Sequence, residues 1–278
     1  MCYHASFNFP AFIYVFGADE WPRFQSLYHK LTKINDARIK KTLSCSIHEI
    51  AKILGPKYTE QDLLPCLERF LKDKTEKANE IKQAVLKNLH IFLSVVSEDK
   101  RSGFIKYIVQ TFDETPKSEW RLKQVLASNL GNYCELFERE MVYQEFLPMF
   151  FKFCSDNVAK VSMAAVSAIC PILMKFNEDE KKQESIARIV KHRYCKSRTF
   201  KKRQLFVLMM NGQMMQQKEI FEKYFKIDFL LLVNDRVDNV RINMAKVLRY
   251  HFLKEISGVF VYDQEVNDAI KLLKFDKC

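Results

Sequence analysis

The chain has 278 residues and a formal net charge of +11, from 45 Lys and Arg against 34 Asp and Glu. Its 48% hydrophobic and 28% charged residues are typical of a soluble protein, and 6 Gly and 7 Pro are too few for the turns of an all-β fold. The longest apolar stretches, Phe7 to Phe16 and Met163 to Met174, are shorter than the roughly 20 residues that span a bilayer. We therefore expect a helical protein without a membrane partner.

The beginning of the chain and the cysteines bear on the compartment. No Lys or Arg occurs in residues 1–20, which argues against a secretory signal. The 8 Cys include no CxxC pair, so they indicate neither a zinc site nor a disulfide framework, and buried free thiols explain them. We expect a cytoplasmic location that extends to the nucleus.

An apolar residue followed by a basic one recurs along the chain and marks the start of a helical pattern. Successive separations are 42, 41, 39, 39 and 40 residues, and one member of the series has Ser in place of the cation. Eight residues after each start comes another large apolar side chain, as expected for one buried helix face. The starts are Ile39-Lys40, Ile81-Lys82, Leu122-Lys123, Val161-Ser162, Phe200-Lys201 and Val240-Arg241.

A first helix precedes each of these second helices. Residues 59–72 show it best, with Thr59 and Asp62 spaced like a capping box. Pro65 lies inside this helix and Pro148 lies 83 residues later in its counterpart, and each should distort the helix by removing a backbone hydrogen bond. A shared distortion at twice the repeat period supports the register.

A helix pair every forty or so residues is the period of HEAT and armadillo repeats, in which stacking of neighbouring pairs supplies the core. The sequence therefore predicts an all-α fold, a single HEAT-repeat α-solenoid (α-α superhelix) of about six helix pairs over residues 1–278. The predicted units are 8–55, 56–96, 97–137, 138–176, 180–216 and 217–257, followed by a terminal helix at 264–275.

Motifs that would carry chemistry are missing. The sequence has no GxGxxG, P-loop, GxSxG or HExxH motif, because His48-Glu49 is not followed by a second histidine at the required spacing. His192 and Cys195 have a spacing that suits two metal ligands, but nothing nearby completes a set of four. We predict no catalytic residue, no cofactor and no metal, and hence a protein that is not an enzyme.

The positive charge is concentrated in residues 188–203. This basic segment carries eight cations and no acid: Arg188, Lys191, Arg193, Lys196, Arg198, Lys201, Lys202 and Arg203. Three interpretations remain open: a solvated turn whose cations offset helix C-termini, a surface for an acidic protein, and a site for nucleic acid or a transport receptor. A second turn feature, Trp120-Arg121, is either a binding hot spot or a staple that fixes the turn.

Several stretches resemble the HEAT repeats of the protein phosphatase 4 regulatory subunit 1 family, and more distantly those of the phosphatase 2A scaffold subunit. The clearest are residues 45–55 (CSIHEIAKILG) and 234–249 (NDRVDNVRINMAKVLR), and the resemblance covers residues 36–275, whereas residues 1–35 match poorly. It implies a non-catalytic regulatory subunit that binds a serine/threonine protein phosphatase catalytic subunit and recruits phosphoprotein substrates or adaptor proteins.

The resemblance also implies where the partner binds. In similar scaffolds the turns inside the repeats contact the catalytic subunit, which gives the candidate ridge Trp120, Arg121, Asn157, Lys201, Lys202, Arg203, Arg236, Asn239 and Arg241. The alternative is a nuclear transport or nucleic-acid-binding adaptor that uses the basic segment. Nucleic acid is a less favoured partner than the phosphatase catalytic subunit.

Overall fold

The computed structural model describes residues 2–75, 77–253 and 264–276, and every secondary-structure element within these ranges is a helix. The all-α prediction is confirmed. The chain divides into two compact units, Met1–Asn129 and Leu130–Cys278, and the division falls within helix α8 (Trp120–Leu136). None of the helices in the described ranges combines the length and apolarity needed to cross a bilayer.

The first unit is built from helix pairs whose second helices stack on one another. Before α8 its helices are α1 (Cys2–Phe16), α2 (Trp21–Lys33), α3 (Ala37–Tyr58), α4 (Leu64–Leu71), α5 (Ala78–Lys87), α6 (Leu89–Val95) and α7 (Glu98–Glu114). Helix α3 pairs with α2 and packs between α1 and the consecutive helices α5 and α6, which together form the next second helix. The predicted buried face of α3 is confirmed, because Ile39, Leu43 and Ile47 are all buried.

The second unit repeats this arrangement. Its helices are α9 (Arg139–Met141), α10 (Leu147–Cys154), α11 (Ala159–Ala165), α12 (Ile169–Met174), α13 (Glu180–Val190), α14 (Phe200–Met209), α15 (Gln213–Gln216), α16 (Lys218–Tyr224), α17 (Lys226–Leu231), α18 (Asp238–Leu253) and α19 (Gln264–Lys274). Helices α11, α14 and α18 stack as successive second helices, while α13 packs on α16 and α17 packs on α19. The single array over residues 1–278 and the unit boundaries stay predictions, and residues 254–257 of the last unit lie outside the described ranges.

Short π-helical turns accompany both of the prolines that were expected to distort a helix. One spans Thr59–Leu63 before Pro65, and the other spans Val142–Phe146 before Pro148. A π turn widens the backbone and removes the clash between a proline ring and the carbonyl one turn earlier. The predicted distortion thus takes the form of a wide turn ahead of each proline.

The capping box predicted at Thr59 and Asp62 is wrong. The Thr59 hydroxyl donates to the Ala51 carbonyl (3.2 Å), and the Asp62 carboxylate accepts from the Trp21 indole (2.7 Å) and the Gln25 amide (2.6 Å). Both side chains are buried and are hydrogen-bonded to the neighbouring helices α3 and α2, so they do not cap the helix that follows them.

The predicted register of α14 is also wrong, by two residues. Phe200, the predicted start of the stripe, is 37% exposed, and Leu208 is only half-buried. Leu205 between them is buried as predicted, but the completely buried side chains are Phe206, Val207 and Met210, which lie four, five and eight residues after Lys202. Arg203, and not Lys201, therefore occupies the place that the basic residue has near the start of the other second helices.

Candidate functional site

The candidate contact residues lie at the turns that join the two helices of each pair, which we call the intra-pair turns. At the turn before α18, the Asp235 carboxylate accepts from the Val237 amide (2.9 Å) and so fixes the local backbone. The same carboxylate receives a two-point hydrogen bond from Arg203, with Nε to Oδ2 at 2.5 Å and Nη2 to Oδ1 at 2.8 Å. Arg203 also donates to the carbonyls of Ser197 and Arg198, and so ties two successive intra-pair turns together.

The placement of Arg203 differs from that of a solvent-facing contact residue. Arg203 is only 8% exposed, and its hydrogen bonds to Asp235, Ser197 and Arg198 all stay inside the second unit. Burial alone raises the pKa of Asp235, but the hydrogen bonds from Arg203 and the Val237 amide outweigh it and hold this pKa below its usual value. Arg203 therefore stabilises the turns from within.

Arg241 on α18 has a similar role. Its guanidinium pairs with Asp276 just after α19, contacts Asp238 (3.1 Å), and donates to the Asp235 carbonyl (2.7 Å). In the first unit Lys40 donates to Asp73 (2.7 Å) after α4, and Asp73 in turn accepts from the Thr75 amide. We call these three cation–aspartate pairs the turn clamps.

The other candidate residues of the second unit face solvent. All five are exposed: Asn157, Lys201, Lys202, Arg236 and Asn239. Within the described residues, the three cations among them form no ion pair. They lie on or beside the intra-pair turns before α11, α14 and α18. These turns therefore present two lysines and one arginine outward while Arg203 and Arg241 are held inside.

Trp120 and Arg121 form a compact unit at the start of α8. The Arg121 guanidinium carbon lies 4.6 Å from the centre of the Trp120 ring, within the range of a cation–π contact. Trp120 is half-buried and Arg121 is exposed. A half-buried ring beside an exposed guanidinium is consistent with both open interpretations, a staple that fixes the turn and a binding hot spot.

The structure brings acids from outside the basic segment against several of its cations. Lys191 and Lys196 both pair with Asp228 (3.3 and 3.7 Å), and Arg203 pairs with Asp235. Arg193 lies over the Phe151 ring, 4.6 Å from its centre. Arg188, Arg198, Lys201 and Lys202 remain exposed. The partial neutralisation weakens the case for a continuous polyanion site, which depends on many unpaired cations.

Sequence reasoning missed the turn clamps, although a signal for them exists. In the three pairs, the aspartate follows its cation by 33, 32 and 35 residues, which is one repeat less a turn or two of helix. No acid stands 32–35 residues after Ser162, which is the member of the series without a cation. The spacing alone does not identify the paired cations, because Lys202 also precedes Asp235 by 33 residues and Arg236 precedes Asp268 by 32.

Cys66, His29 and Asp62 lie near one another in the first unit and superficially resemble a nucleophile with its base. However, Cys66 Sγ and His29 Nδ1 are 3.7 Å apart, and His29 Nε2 and Asp62 Oδ1 are 3.8 Å apart. Cys66 is completely buried, its thiol donates to the Asp62 carbonyl (3.2 Å), and burial raises its pKa. A buried neutral thiol is a poor nucleophile, so the cluster is structural.

His192 and Cys195, the pair with metal-ligand spacing, do not converge on a common site. The Cys195 thiol is buried and lies 3.4 Å from the Asp228 carbonyl, while His192 is exposed. Over the part of the chain that the structure describes, no group of three or more His, Cys, Asp or Glu side chains could hold a metal ion.

Comparison with known proteins gives matches that point in one direction. A family model described as the protein phosphatase 4 regulatory subunit 1 middle domain matches residues 5–112. Serine/threonine-protein phosphatase 4 regulatory subunit 1 of Rattus norvegicus is 28% identical over 284 residues, and that of Homo sapiens is 28% identical over 283 residues. The resemblance to protein phosphatase 4 regulatory subunit 1 is confirmed.

The extent of the match corrects one expectation. The alignments with protein phosphatase 4 regulatory subunit 1 cover 99% of this chain, and the family model begins at residue 5, so residues 1–35 do not stand apart. They form α1 and α2, whose buried side chains Phe9 and Trp21 pack together as part of the same unit. The chain spans about 29% of the length of these relatives. The relatives are named regulatory subunits, which supports the prediction that the chain is not an enzyme.

Proposed function

We propose that this chain is a non-catalytic regulatory or scaffold segment that binds the catalytic subunit of a serine/threonine protein phosphatase of the phosphatase 4 type. The observation that carries the proposal is the alignment of 99% of the chain with protein phosphatase 4 regulatory subunit 1. In this proposal the helix pairs are HEAT repeats, and the catalytic metals and reacting groups belong to the partner. Substrate phosphoproteins or adaptor proteins bind the same segment. The cytoplasmic and nuclear location stays a prediction.

The proposed contact surface is the outward side of the intra-pair turns. In the first unit it consists of Trp120 and Arg121, and in the second it consists of Lys201, Lys202 and Arg236 together with Asn157 and Asn239. Exposed cations at adjacent turns favour a partner whose facing surface is acidic, because complementary charge speeds association and fixes orientation. The half-buried indole of Trp120 adds the kind of aromatic anchor that is enriched in binding hot spots.

A binding experiment with purified components tests this proposal. The full chain is mixed with a recombinant phosphatase 4 catalytic subunit, and the dissociation constant is measured by titration calorimetry. The double substitution Trp120→Ala with Arg121→Ala tests the first unit, and Lys202→Glu with Arg236→Glu tests the second. We expect each pair to weaken binding by about tenfold or more, as hot-spot truncations do, without a change in the circular dichroism spectrum.

Lys181→Glu provides the matched control. Lys181 is an exposed cation in the first turn of α13, at the opposite end of that helix from the intra-pair turn. The control should bind like the unsubstituted chain. No binding by the unsubstituted chain would reject the phosphatase partner, whereas equal losses in the control and the turn variants would reject the turns as the contact surface.

A further inference from the structure

The second unit contains a groove that the intra-pair turns do not account for. It has a volume of about 530 Å³ and lies between α10, with the π turn before it, and the π turn Lys191–Cys195 that ends α13. Its walls come from the first helices of two successive pairs. We call it the aromatic groove, and its lining residues are Tyr143, Leu147, Pro148, Phe151, Lys152, Ser155 and Arg193.

The floor of the aromatic groove is apolar and held in place from below. The Phe151 ring stacks on Tyr194 (centroids 6.4 Å apart, planes at 11°) and meets Phe150 edge to face at 5.3 Å. The Tyr143 ring packs against the buried Phe176 at 5.9 Å. Rings that are already fixed lose little conformational entropy when a ligand side chain packs on them. The floor is therefore a fixed apolar surface on which an apolar side chain of a ligand can pack.

Cations border this floor. The Arg193 guanidinium lies over Phe151, and Lys182 Nζ lies 5.1 Å from the centre of the Tyr143 ring. Lys182 is paired with Glu140 (3.2 Å), but the structure's described residues place no carboxylate within ion-pair distance of Arg193. A guanidinium stacked on a ring keeps its N–H edge available for two-point hydrogen bonding to a carboxylate.

The charge of the lining distinguishes this groove from two other clefts. The other two have linings of mixed charge: the cleft of about 840 Å³ between α9 and the end of α12 has three Glu with Arg139 and Lys175, and the cleft of about 370 Å³ beside α7 has two Glu with Lys72 and Lys82. The lining of the aromatic groove includes Lys152 and Arg193 and no acid. Charge complementarity therefore favours an anionic ligand here, and the apolar floor favours one that also carries an apolar side chain.

We propose that the aromatic groove binds an acidic peptide segment with a single aromatic or large apolar anchor residue. The anchor packs on Phe151, Tyr143 and Pro148, and flanking carboxylates pair with Arg193. This inference goes beyond the proposed function, because it uses a different surface and none of the candidate turn residues. It gives the segment a second binding site, suited to a substrate or adaptor that docks beside the phosphatase.

Fluorescence anisotropy with the full chain tests the aromatic groove. The probe is a short fluorescein-labelled peptide with one Phe flanked on both sides by Asp and Glu, titrated at low ionic strength. We expect saturable binding, and Arg193→Glu should weaken it by about tenfold or more because it replaces a charge-assisted hydrogen bond with repulsion. Replacing the Phe of the probe by Ser should also weaken binding, since the floor then has no apolar partner.

Arg188→Glu is the matched control, because Arg188 is an exposed cation of the same basic segment that does not line the groove. It should weaken binding much less than Arg193→Glu does, because Arg188 does not line the groove and acts on the peptide only through the general charge of the surface. No saturable binding, equal losses in the two variants, or tighter binding of a single-stranded RNA oligonucleotide would each overturn the proposal. Titrating Arg193→Glu with the phosphatase catalytic subunit separates this outcome from failure of the proposed function, since that affinity should not change.

Discussion

Lys202 and Arg203 are neighbours in the first turn of α14, yet they lie on opposite sides of the intra-pair turn. Arg203 points inward to Asp235 and to two backbone carbonyls, whereas Lys202 is exposed and pairs with no acid in the described ranges. The same division separates Arg241 from Arg236 at the next turn. Cations within five residues of each other thus divide into an inner group that stabilises the fold and an outer group available for recognition.

The largest expected effect is on the inner side. Arg203→Ala leaves the buried Asp235 carboxylate without its partner and should lower the free energy of unfolding by roughly 3–5 kcal/mol. The neighbouring control Lys202→Ala should change it by no more than about 0.5 kcal/mol, as is usual for surface substitutions. Urea denaturation followed by circular dichroism measures both. Equal effects of the two substitutions would remove the distinction between the inner and outer sides.

Lys40→Ala tests the clamp of the first unit and should have a smaller effect. Lys40 makes one hydrogen bond to Asp73, and its side chain is 15% exposed, so we expect a loss of roughly 1–3 kcal/mol. The adjacent Lys41 pairs with Glu80 at the surface, where both side chains are about half exposed and an ion pair contributes about 0–1 kcal/mol. Thermal unfolding of Lys40→Ala beside Lys41→Ala makes this comparison, and a larger loss from Lys41→Ala would contradict it.

Lowering the pH should reduce the stability that the Asp235 carboxylate contributes on the inner side of the turn. Because the folded-state pKa of this carboxyl lies below its unfolded value, its contribution is complete above the unfolded pKa and is lost as the pH falls through the folded pKa. Asp235→Asn cannot titrate, so the stability gap between it and the unsubstituted chain should narrow as the pH falls below about 4. Unfolding free energies measured across this range test the prediction, and a constant gap would contradict a lowered pKa.

The helical architecture could be predicted from the sequence because buried apolar positions recur with the period of an α-helix. Ile39, Leu43 and Ile47 occupy one face of α3, and each side chain is buried whatever its exact neighbours are. On α14 the same reasoning gave the wrong register, because apolar residues surround most of the helix and Phe200 looks as suitable as Val207. There the Arg203–Asp235 pair, 32 residues apart in sequence, decides which face turns inward.

The candidate site was harder to predict for a related reason. A count of cations at the turns gives Arg203, Arg236 and Arg241 equal weight, since periodicity does not reveal which cation meets an acid from the next pair. The aromatic groove was missed because Phe151 and Arg193 lie on different first helices, 42 residues apart, and neither stands out within its own segment. Both features depend on contacts between repeats, which a pattern within one repeat does not contain.

The smallest effect on stability is expected at Arg236. Its substitution tests most directly whether the outer cations act in binding and not in folding. Arg236→Glu should change the free energy of unfolding by no more than about 0.5 kcal/mol, because the exposed side chain has no ion pair among the described residues. It should nevertheless weaken binding of the phosphatase catalytic subunit by reversing a charge on the outer side of the turn.

Arg241→Ala supplies the reciprocal control for Arg236→Glu. It removes a guanidinium that pairs with Asp276 and Asp238, so it should destabilise the second unit. At a temperature where both variants remain folded, calorimetric titration should show weaker binding for Arg236→Glu than for Arg241→Ala. The reverse order would mean that recognition depends on the internal structure of the turn, and then the outer cations would only add solubility.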